Sequence, residues 1–286
     1  MNCKLLSAIL LCCVAAPAPA FDFDLGNALD TLQKAQQATT DIDEPQEIEL
    51  GTGIASNLLG AAPLLQNQRV QKYVNGIGMW LALQTERPNL PWRFGVLDDN
   101  DVNAFAAPGG YVFITRGLLA QMRSEAELAG VLAHEIAHVL RKHYLKAIKQ
   151  GARTGLIAEF AGQAMQNRGA NPAFAKLVSA GTEIYARGLD KDDEFEADRM
   201  GVVIATRAGY DPYGLPAVLQ TLQGMNAQDS SLALMFKTHP ALNDRLGLLD
   251  RLMSGQFDRF ENQPAQAPRF MAVMNKTGIL VNTGKR

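Results

Sequence analysis

The segment from Leu128 to Leu140 has the sequence LAGVLAHEIAHVL, in which the polar side chains are His134, Glu135 and His138. Because the remaining positions are apolar on every side, the segment predicts a helix inside a hydrophobic core. Burying two imidazoles and a carboxylate there is unfavourable unless a partner satisfies them. The segment therefore predicts a central helix of the fold and a buried polar site on it.

The spacing of the two histidines indicates what this partner is. His134 and His138 are four residues apart, so their side chains project from one face of the helix about one turn apart. Two imidazoles bind one Zn²⁺ in this arrangement, while Glu135 can reach a water molecule beside the metal. A chance match to HExxH is the alternative, which the apolar surroundings disfavour. His143, five residues after His138, is expected to point away from the pair and to lie at the surface.

Two imidazoles leave a zinc site incomplete, so a third protein ligand is expected downstream. The acidic candidates are Asp190, Asp192, Asp193, Glu194, Glu196 and Asp198. Glu194 and Asp198 share one helix face, whereas Glu196 lies on the opposite face. Gly201 and Ala205 lie on the same face as Glu194 and are small enough to allow close contact with a neighbouring helix. We therefore expect Glu194 to be the third ligand and Asp198 to accept a hydrogen bond from one ligand histidine.

The rest of the chain predicts a mostly helical α+β domain with a small antiparallel sheet. Amphipathic spacing indicates one or two helices between Glu47 and Arg87. Runs typical of β-strands follow at Trp92–Leu97, Asn103–Ala106 and Tyr111–Thr115, the last two joined by a hairpin turn at 107–110. Ser124 and Glu127 resemble a capping box that opens a helix to about Tyr144. Later helices are expected from the aspartates at 190–193 to Gly209, from Asp211 to Met225, and after His239.

The composition is that of a globular protein. The chain has 286 residues, 47% hydrophobic and 20% charged, with a formal net charge of −2. These values argue against a disordered, fibrous or nucleic-acid-coating protein, so no nucleic-acid partner is expected. The three cysteines are Cys3, Cys12 and Cys13. Beyond them, neither disulfides nor cysteine ligands for a metal are available.

The first twenty residues have the pattern of a secretory signal peptide. Lys4 precedes an apolar run from Leu5 to Ala16, and small residues end the segment before Phe21. The run is shorter than the ~20 residues that span a bilayer. A lipoprotein signal, with Cys12 or Cys13 acylated, is the weaker alternative because no small residue precedes either cysteine. We expect an exported protein in the periplasm if the source is a Gram-negative bacterium.

Two motifs carry a resemblance to a known family. His134-Glu135-Ile136-Ala137-His138, followed by Glu194-Phe195-Glu196-Ala197-Asp198, resembles the HExxH and ExxAD pair of metallopeptidase family forty-eight, which includes the CAAX prenyl endopeptidases and HtpX. The segment from Asn103 to Leu119 is similar to the strand region ahead of that family's active-site helix, and Thr238-His239-Pro240 with Arg245 is similar to its downstream element. The similarity covers roughly residues 47–253.

The resemblance implies a zincin-like (gluzincin) fold and a zinc endopeptidase. One Zn²⁺ per chain would be bound by His134, His138 and Glu194, with Glu135 as general base and Asp198 behind the ligands. The other implied site residues are the catalytic candidates His239 and Arg245 and the substrate-binding strand residues Asn103, Ala104 and Phe105. Either His239 and Arg245 stabilise the oxyanion, or His239 occupies the open zinc position and holds the enzyme latent. A third interpretation of His239 is a helix-start residue before Pro240.

The chain lacks long apolar spans and helical repeats, so the resemblance is to a soluble exported member. Its expected parts are a signal peptide (1–20), a peripheral arm (21–46), a zinc metalloprotease domain (47–253) and a tail (254–286). Expected partners are unfolded or envelope protein substrates, with peripheral attachment to the membrane or to an outer-membrane complex as a further interpretation. The alternatives are a chaperone-like envelope assembly factor with a latent zinc site and, more weakly, a zinc hydrolase of non-peptide amides.

Overall fold

A computed structural model of the chain describes residues 42–153, 187–226, 228–239 and 241–279. The predicted signal peptide (1–20), its cysteines and most of the predicted arm (21–46) lie outside the described residues. The last residues of that arm belong to the first helix, which begins at Glu44.

Helices and a small sheet alternate along the chain. Two helices, α1 (Glu44–Ala61) and α2 (Gln68–Ala82), precede three strands, β1 (Arg93–Leu97), β2 (Ala104–Ala107) and β3 (Tyr111–Thr115). The following helices are α3 (Arg116–Gln121), α4 (Glu125–Leu140), α5 (His143–Arg153), α6 (Lys191–Arg207), α7 (Gly214–Gln223), α8 (Ala233–Thr238), α9 (Leu242–Met253) and α10 (Ala267–Thr277). The predicted α+β, mostly helical class is confirmed.

The sheet is mixed, whereas the sequence predicted an antiparallel one. Its strand order is β1-β3-β2, so β2 lies at one edge. Strands β2 and β3 form the predicted antiparallel hairpin, and β1 pairs with β3 in parallel. Gly109 and Gly110 take positive φ angles of 76° and 99° in the turn, a conformation that favours glycine. Strand alternation does not encode direction, so the parallel pairing of β1 had no signal in the sequence.

Helix α4 forms the centre of the core. All 16 of its residues are buried. It begins where predicted: the Ser124 hydroxyl accepts a hydrogen bond from the Glu127 amide at 3.1 Å. The carboxylate of Glu127 accepts from the amide of Arg123 instead of Ser124, so only half of the capping box forms.

Helix α6 packs directly against α4 through a small residue, as the sequence predicted. A Cβ atom on Gly201 would lie 2.9 Å from the backbone nitrogen of His134. This is closer than real Cβ contacts, so glycine permits the two backbones to approach here. The acidic N-terminal half of α6 is thereby placed beside the histidines of α4.

Helix α4 ends earlier than the sequence indicated. The predicted end was about Tyr144, but the helix stops at Leu140, and Lys142 adopts a left-handed conformation with φ of 56°. Helix α5 then begins at His143. A left-handed conformation is uncommon for lysine. The sequence around it contains no glycine or proline, the residues that usually indicate the end of a helix.

Among the described residues, no helix combines the length and apolar character needed to cross a membrane. The region predicted as a tail contains α10, whose Phe270 and Met274 are fully buried. This helix packs on α2 and α4 and so is part of the same core.

Candidate metal centre

The two histidines of α4 face each other at the predicted site. The Nε2 atoms of His134 and His138 are 3.0 Å apart. Glu194 of α6 lies next to both, with Oε2 3.6 Å from the Nε2 of His134 and Oε1 3.4 Å from the Nε2 of His138. All three side chains are buried. The structure therefore brings together the three residues predicted as ligands.

A third imidazole joins them from the turn between α8 and α9. The Nδ1 atom of His239 is 3.0 Å from the Oε2 of Glu194. Ligand atoms of His134, His138, Glu194 and His239, here called the donor cluster, all lie within 4.8 Å of one another. His239 caps the C-terminus of α8, which contradicts its interpretation as a helix-start residue. Pro240 lies outside the described residues.

The donor cluster fits a single metal ion. The Oε1 atom of Glu194 and the Nε2 atom of His239 are buried and have no hydrogen-bond partner among the described residues. Buried polar atoms are rarely left unpaired, because each costs about 1–3 kcal/mol. Imidazole nitrogens and a carboxylate oxygen are the donors that zinc and similar divalent ions prefer. One cation among these atoms would satisfy them together.

Glu135 lies beside the donor cluster and is buried. Its Oε1 atom is 3.8 Å from the Nε2 of His239, and its Oε2 atom has no hydrogen-bond partner among the described residues. Burial raises the pKa of this carboxyl, although the neighbouring histidines oppose the shift. A cavity of about 40 Å³ adjoins it, lined mainly by apolar side chains that include Val131 and Leu215.

The two acids of α6 are held from behind by Arg245 of α9. Its Nε and Nη2 atoms donate to both oxygens of Asp198 at 2.7 and 2.6 Å, and its Nη1 lies 3.0 Å from the Oε2 of Glu194. Asp198 Oδ1 in turn lies 2.9 Å from the Nδ1 of His134. The guanidinium thus fixes the two carboxylates that face the histidines, and a direct catalytic role for Arg245 stays a prediction.

The charges of the cluster follow from these contacts. Burial favours a neutral imidazole at His134, but the carboxylates of Asp198 and Glu194 outweigh it and raise its pKa to about 9. Burial and the neighbouring cationic His134 lower the pKa of His138 well below its usual range. Burial opposes ionisation of Glu194, yet His239 and Arg245 hold its pKa well below the ordinary value. Without a metal, the cluster therefore contains an ionised carboxylate and at least one neutral imidazole.

The predicted substrate strand reaches the same cavity through one residue, Ala104. Asn103, Ala104 and Phe105 are buried, and Ala104 lines the cavity beside Glu135. The strand pairs through Phe105 with Phe113 of β3 and is the last strand in the order β1-β3-β2. The side chains therefore belong to the core, while the backbone forms the rim of the sheet.

His143 contradicts its predicted surface position. Its side chain is fully buried, and its Nδ1 lies 2.9 Å from the Nδ1 of His138. The break at Lys142 is the reason: the prediction placed His143 on a continuous helix, where it would point away. Glu196, predicted on the opposite face of α6 from Glu194, is there as expected but contacts His143 and Arg141. A third histidine close to HExxH is the signal in the sequence for this contact.

Comparisons with known proteins agree with the two motifs. The pattern of Peptidase family M48 matches residues 65–253. The chain is 30% identical over 235 residues to the Beta-barrel assembly-enhancing protease of Escherichia coli (strain K12), an alignment that covers 80% of this chain and 47% of that protein.

Two further relatives have different names. Mitochondrial metalloendopeptidase OMA1 of Arabidopsis thaliana is 27% identical, over 65% of this chain and 36% of its own. Protease HtpX homolog of Burkholderia mallei (strain SAVP1) is 31% identical, over 60% of this chain and 72% of its own. The chain spans about half the length of the Beta-barrel assembly-enhancing proteases it matches.

The family match covers about two thirds of the chain and contains the donor cluster, Glu135, Asp198 and Arg245. The resemblance that the HExxH and ExxAD motifs indicated is confirmed. The chain belongs to peptidase family M48.

Proposed function

We propose that the chain is a zinc-dependent endopeptidase of the cell envelope that hydrolyses peptide bonds of misfolded or misassembled proteins. The observation that carries the proposal is the buried donor cluster with Glu135 directly beside it. A site that only stabilised the fold would have no use for a free carboxylate next to the metal. The match to a peptidase family supports peptide bonds as the bonds that are hydrolysed.

Each residue has a role that follows from its position. His134, His138 and Glu194 would hold the zinc ion, and Asp198 would fix the orientation of His134. Bound zinc supplies a Lewis acid that polarises the scissile carbonyl and makes water more acidic. Glu135 accepts the proton of the attacking water and later donates it to the leaving amine.

Substrate binding is assigned to β2, the edge strand of the sheet next to the cavity. An extended peptide can add to an exposed strand edge through backbone hydrogen bonds, with little dependence on its sequence. Ala104 lies in this strand and also lines the cavity beside Glu135. A peptide on this edge would therefore pass close to the proposed base, and the apolar walls of the cavity suit an apolar side chain.

The cellular role is inferred from the names of the relatives. Several are called Beta-barrel assembly-enhancing protease, which supports an envelope location and substrates among envelope proteins. The signal-peptide pattern at 1–20 supports export to the periplasm. Attachment to the membrane surface or to an outer-membrane complex remains part of this proposal.

The substitution Glu135→Gln tests the chemistry. It keeps the size of the side chain but removes the proton acceptor, so we expect the variant to bind one zinc ion and to lose cleavage of an unfolded casein by about 10²–10⁴-fold. Glu49→Gln, the same change at an exposed residue of α1, is the control and should cleave normally. Undiminished cleavage by the Glu135→Gln variant would refute the assignment.

A chaperone-like assembly factor with a latent zinc site is the alternative. The buried Glu135 beside the donor cluster weighs against it. If zinc-loaded protein suppressed aggregation of the unfolded substrate without cleaving it, and did so equally after Glu135→Gln, the alternative would replace the peptidase.

A further inference from the structure

The Nδ1 atoms of the two α4 histidines face different chemical groups. The Nδ1 of His134 faces a carboxylate, Asp198, at 2.9 Å. The Nδ1 of His138 faces another imidazole, the Nδ1 of His143, at 2.9 Å. His143 continues to the carboxylates of α6, with its Nε2 3.1 Å from the Oε2 of Glu196 and 3.3 Å from the Oδ1 of Asp193. An imidazole is thus interposed between His138 and the acids.

Hydrogen-bond logic assigns the protons of this arrangement. If the Nε2 of His138 binds zinc, its Nδ1 carries the proton and donates it. The Nδ1 of His143 must then accept, so a neutral His143 carries its proton on Nε2. That proton points to Glu196 and Asp193, which are acceptors. Each of these ring nitrogens therefore faces a group of the required kind, and the Nε2 of His143 faces two acceptors.

The interruption of the helix between α4 and α5 determines where the His143 side chain lies. Lys142, in its left-handed conformation, places its Nζ 3.2 Å from the Oε2 of Glu47, a fully buried carboxylate of α1. The Oε1 of Glu47 also accepts from the backbone nitrogen of Gly109 in the β2–β3 turn at 3.1 Å. The same carboxylate therefore anchors both the break that turns His143 inward and the hairpin that carries the strand edge.

We propose that His143 is a positioning residue for zinc binding, which acts through His138 and not on the substrate. The hydrogen-bond chain from His138 through His143 to Glu196 fixes the tautomer and ring orientation of His138 and makes its Nε2 a better donor to the metal. Loss of a group that hydrogen-bonds to a ligand histidine typically lowers metal affinity or activity by about 10–100-fold. We expect an effect of roughly this size when His143 is replaced. The inference rests on the proposed zinc site.

A second metal ion at His143, Asp193 and Glu196 is the competing interpretation, since their donor atoms also lie within 4.8 Å of one another. Cations already contact both acids. The Arg141 guanidinium is 2.6 Å from Glu196, and the Lys146 ammonium is 4.0 Å from Asp193. A hydrogen-bonded imidazole is compatible with these cations, whereas a further divalent ion would be repelled by them.

The test compares zinc affinities, measured by competition with a chromophoric chelator, for the full chain and its variants. His143→Leu removes the acceptor and should weaken zinc binding about 10–100-fold. His143→Asn places an amide oxygen near the position of Nδ1 and should restore most of the affinity. Lys146→Met removes a neighbouring charge but leaves the His138–His143 contact, and should bind zinc as the wild type does. Cobalt substitution should show an altered visible spectrum in His143→Leu only.

The outcomes separate the two proposals. If the wild-type chain binds no zinc, the proposed function fails. If the wild type binds zinc and His143→Leu binds it equally tightly, only the role of His143 fails. A second zinc equivalent in the wild type that His143→Leu abolishes, with the first unaffected, would establish the competing metal site instead. Should His143→Leu not fold, the double variant Asp193→Asn/Glu196→Gln weakens the outer end of the chain, and unchanged affinity there would overturn the inference.

Discussion

His239 lies inside the donor cluster, although it comes from a different part of the chain than the other three donors. It approaches Glu194 at 3.0 Å and completes the donor cluster from the turn after α8, where its side chain is buried. The sequence left two roles open, an oxyanion stabiliser and a residue that occupies the open zinc position. Its inclusion within 4.8 Å of the other donors favours the second role.

We therefore expect His239→Ala to raise peptidase activity. Removing the imidazole would free a coordination position, so cleavage of unfolded casein at saturating zinc should increase several-fold, while the affinity for zinc falls. The measurement is initial cleavage rate against zinc concentration. A lower rate with zinc fully bound would instead identify His239 as an oxyanion stabiliser.

Helices α4 and α6 form the element that carries the site. Three of the four donors and Asp198 lie on this pair, and the contact of Gly201 with the backbone of His134 sets the distance between the helices. A side chain at this position would have to push α6 away from α4, which would move Glu194 and Asp198 from the histidines.

Gly201→Ala should destabilise the fold by about 1–3 kcal/mol, as expected for overpacking, and should reduce zinc affinity. The matched control is Gly76→Ala in α2, where a Cβ meets nothing within 4 Å. That change should be neutral or stabilise by about 0.5–1 kcal/mol because alanine favours helix over glycine. Urea unfolding of both variants measures the difference. If Gly201→Ala and Gly76→Ala had equal free energies of unfolding, the spacing of α4 and α6 would not depend on Gly201.

Much of this element was predictable. Apolar residues all around the HExxH segment predicted the buried helix, and four-residue spacing with small residues predicted that Glu194 and Asp198 would face it. The inward position of His143 could not be predicted from the sequence. It depends on the left-handed conformation of Lys142, whose side chain pairs with Glu47, a carboxylate distant in the sequence. Such a long-range contact leaves no periodic signal in the sequence. The same holds for the parallel pairing of β1.

At the scale of the whole molecule, the C-terminal region is tied to α4. Glu125, fully buried in the first turn of α4, accepts hydrogen bonds from the hydroxyls of Tyr73 and Tyr210 at 2.6 and 2.8 Å. Arg269 of α10 pairs with both oxygens of the same carboxylate. One carboxylate thus joins α2, α4, α10 and the turn after α6. The domain end at 253 stays a prediction, which a deletion can test.

Deleting residues 254–286 should therefore destabilise the remaining chain. It exposes the surface covered by Phe270 and Met274, each worth about 1.5–3 kcal/mol, and it leaves Glu125 without its cation. A total near 5 kcal/mol corresponds to a fall of roughly 10–20 °C in Tm for a domain of this size. Deletion of residues 280–286 alone is the control. An unchanged Tm after the larger deletion would support a domain that ends at residue 253.

The zinc content of purified protein, measured by elemental analysis, tests directly whether the donor cluster binds a metal ion. We expect one zinc ion per chain in the wild type and in Asp192→Ala, which removes an exposed acid from the first turn of α6. We expect Glu194→Ala, two residues away but inside the donor cluster, to lose most of the metal. Full zinc occupancy in Glu194→Ala, or no zinc in the wild type, would show that the donor cluster is not the zinc site.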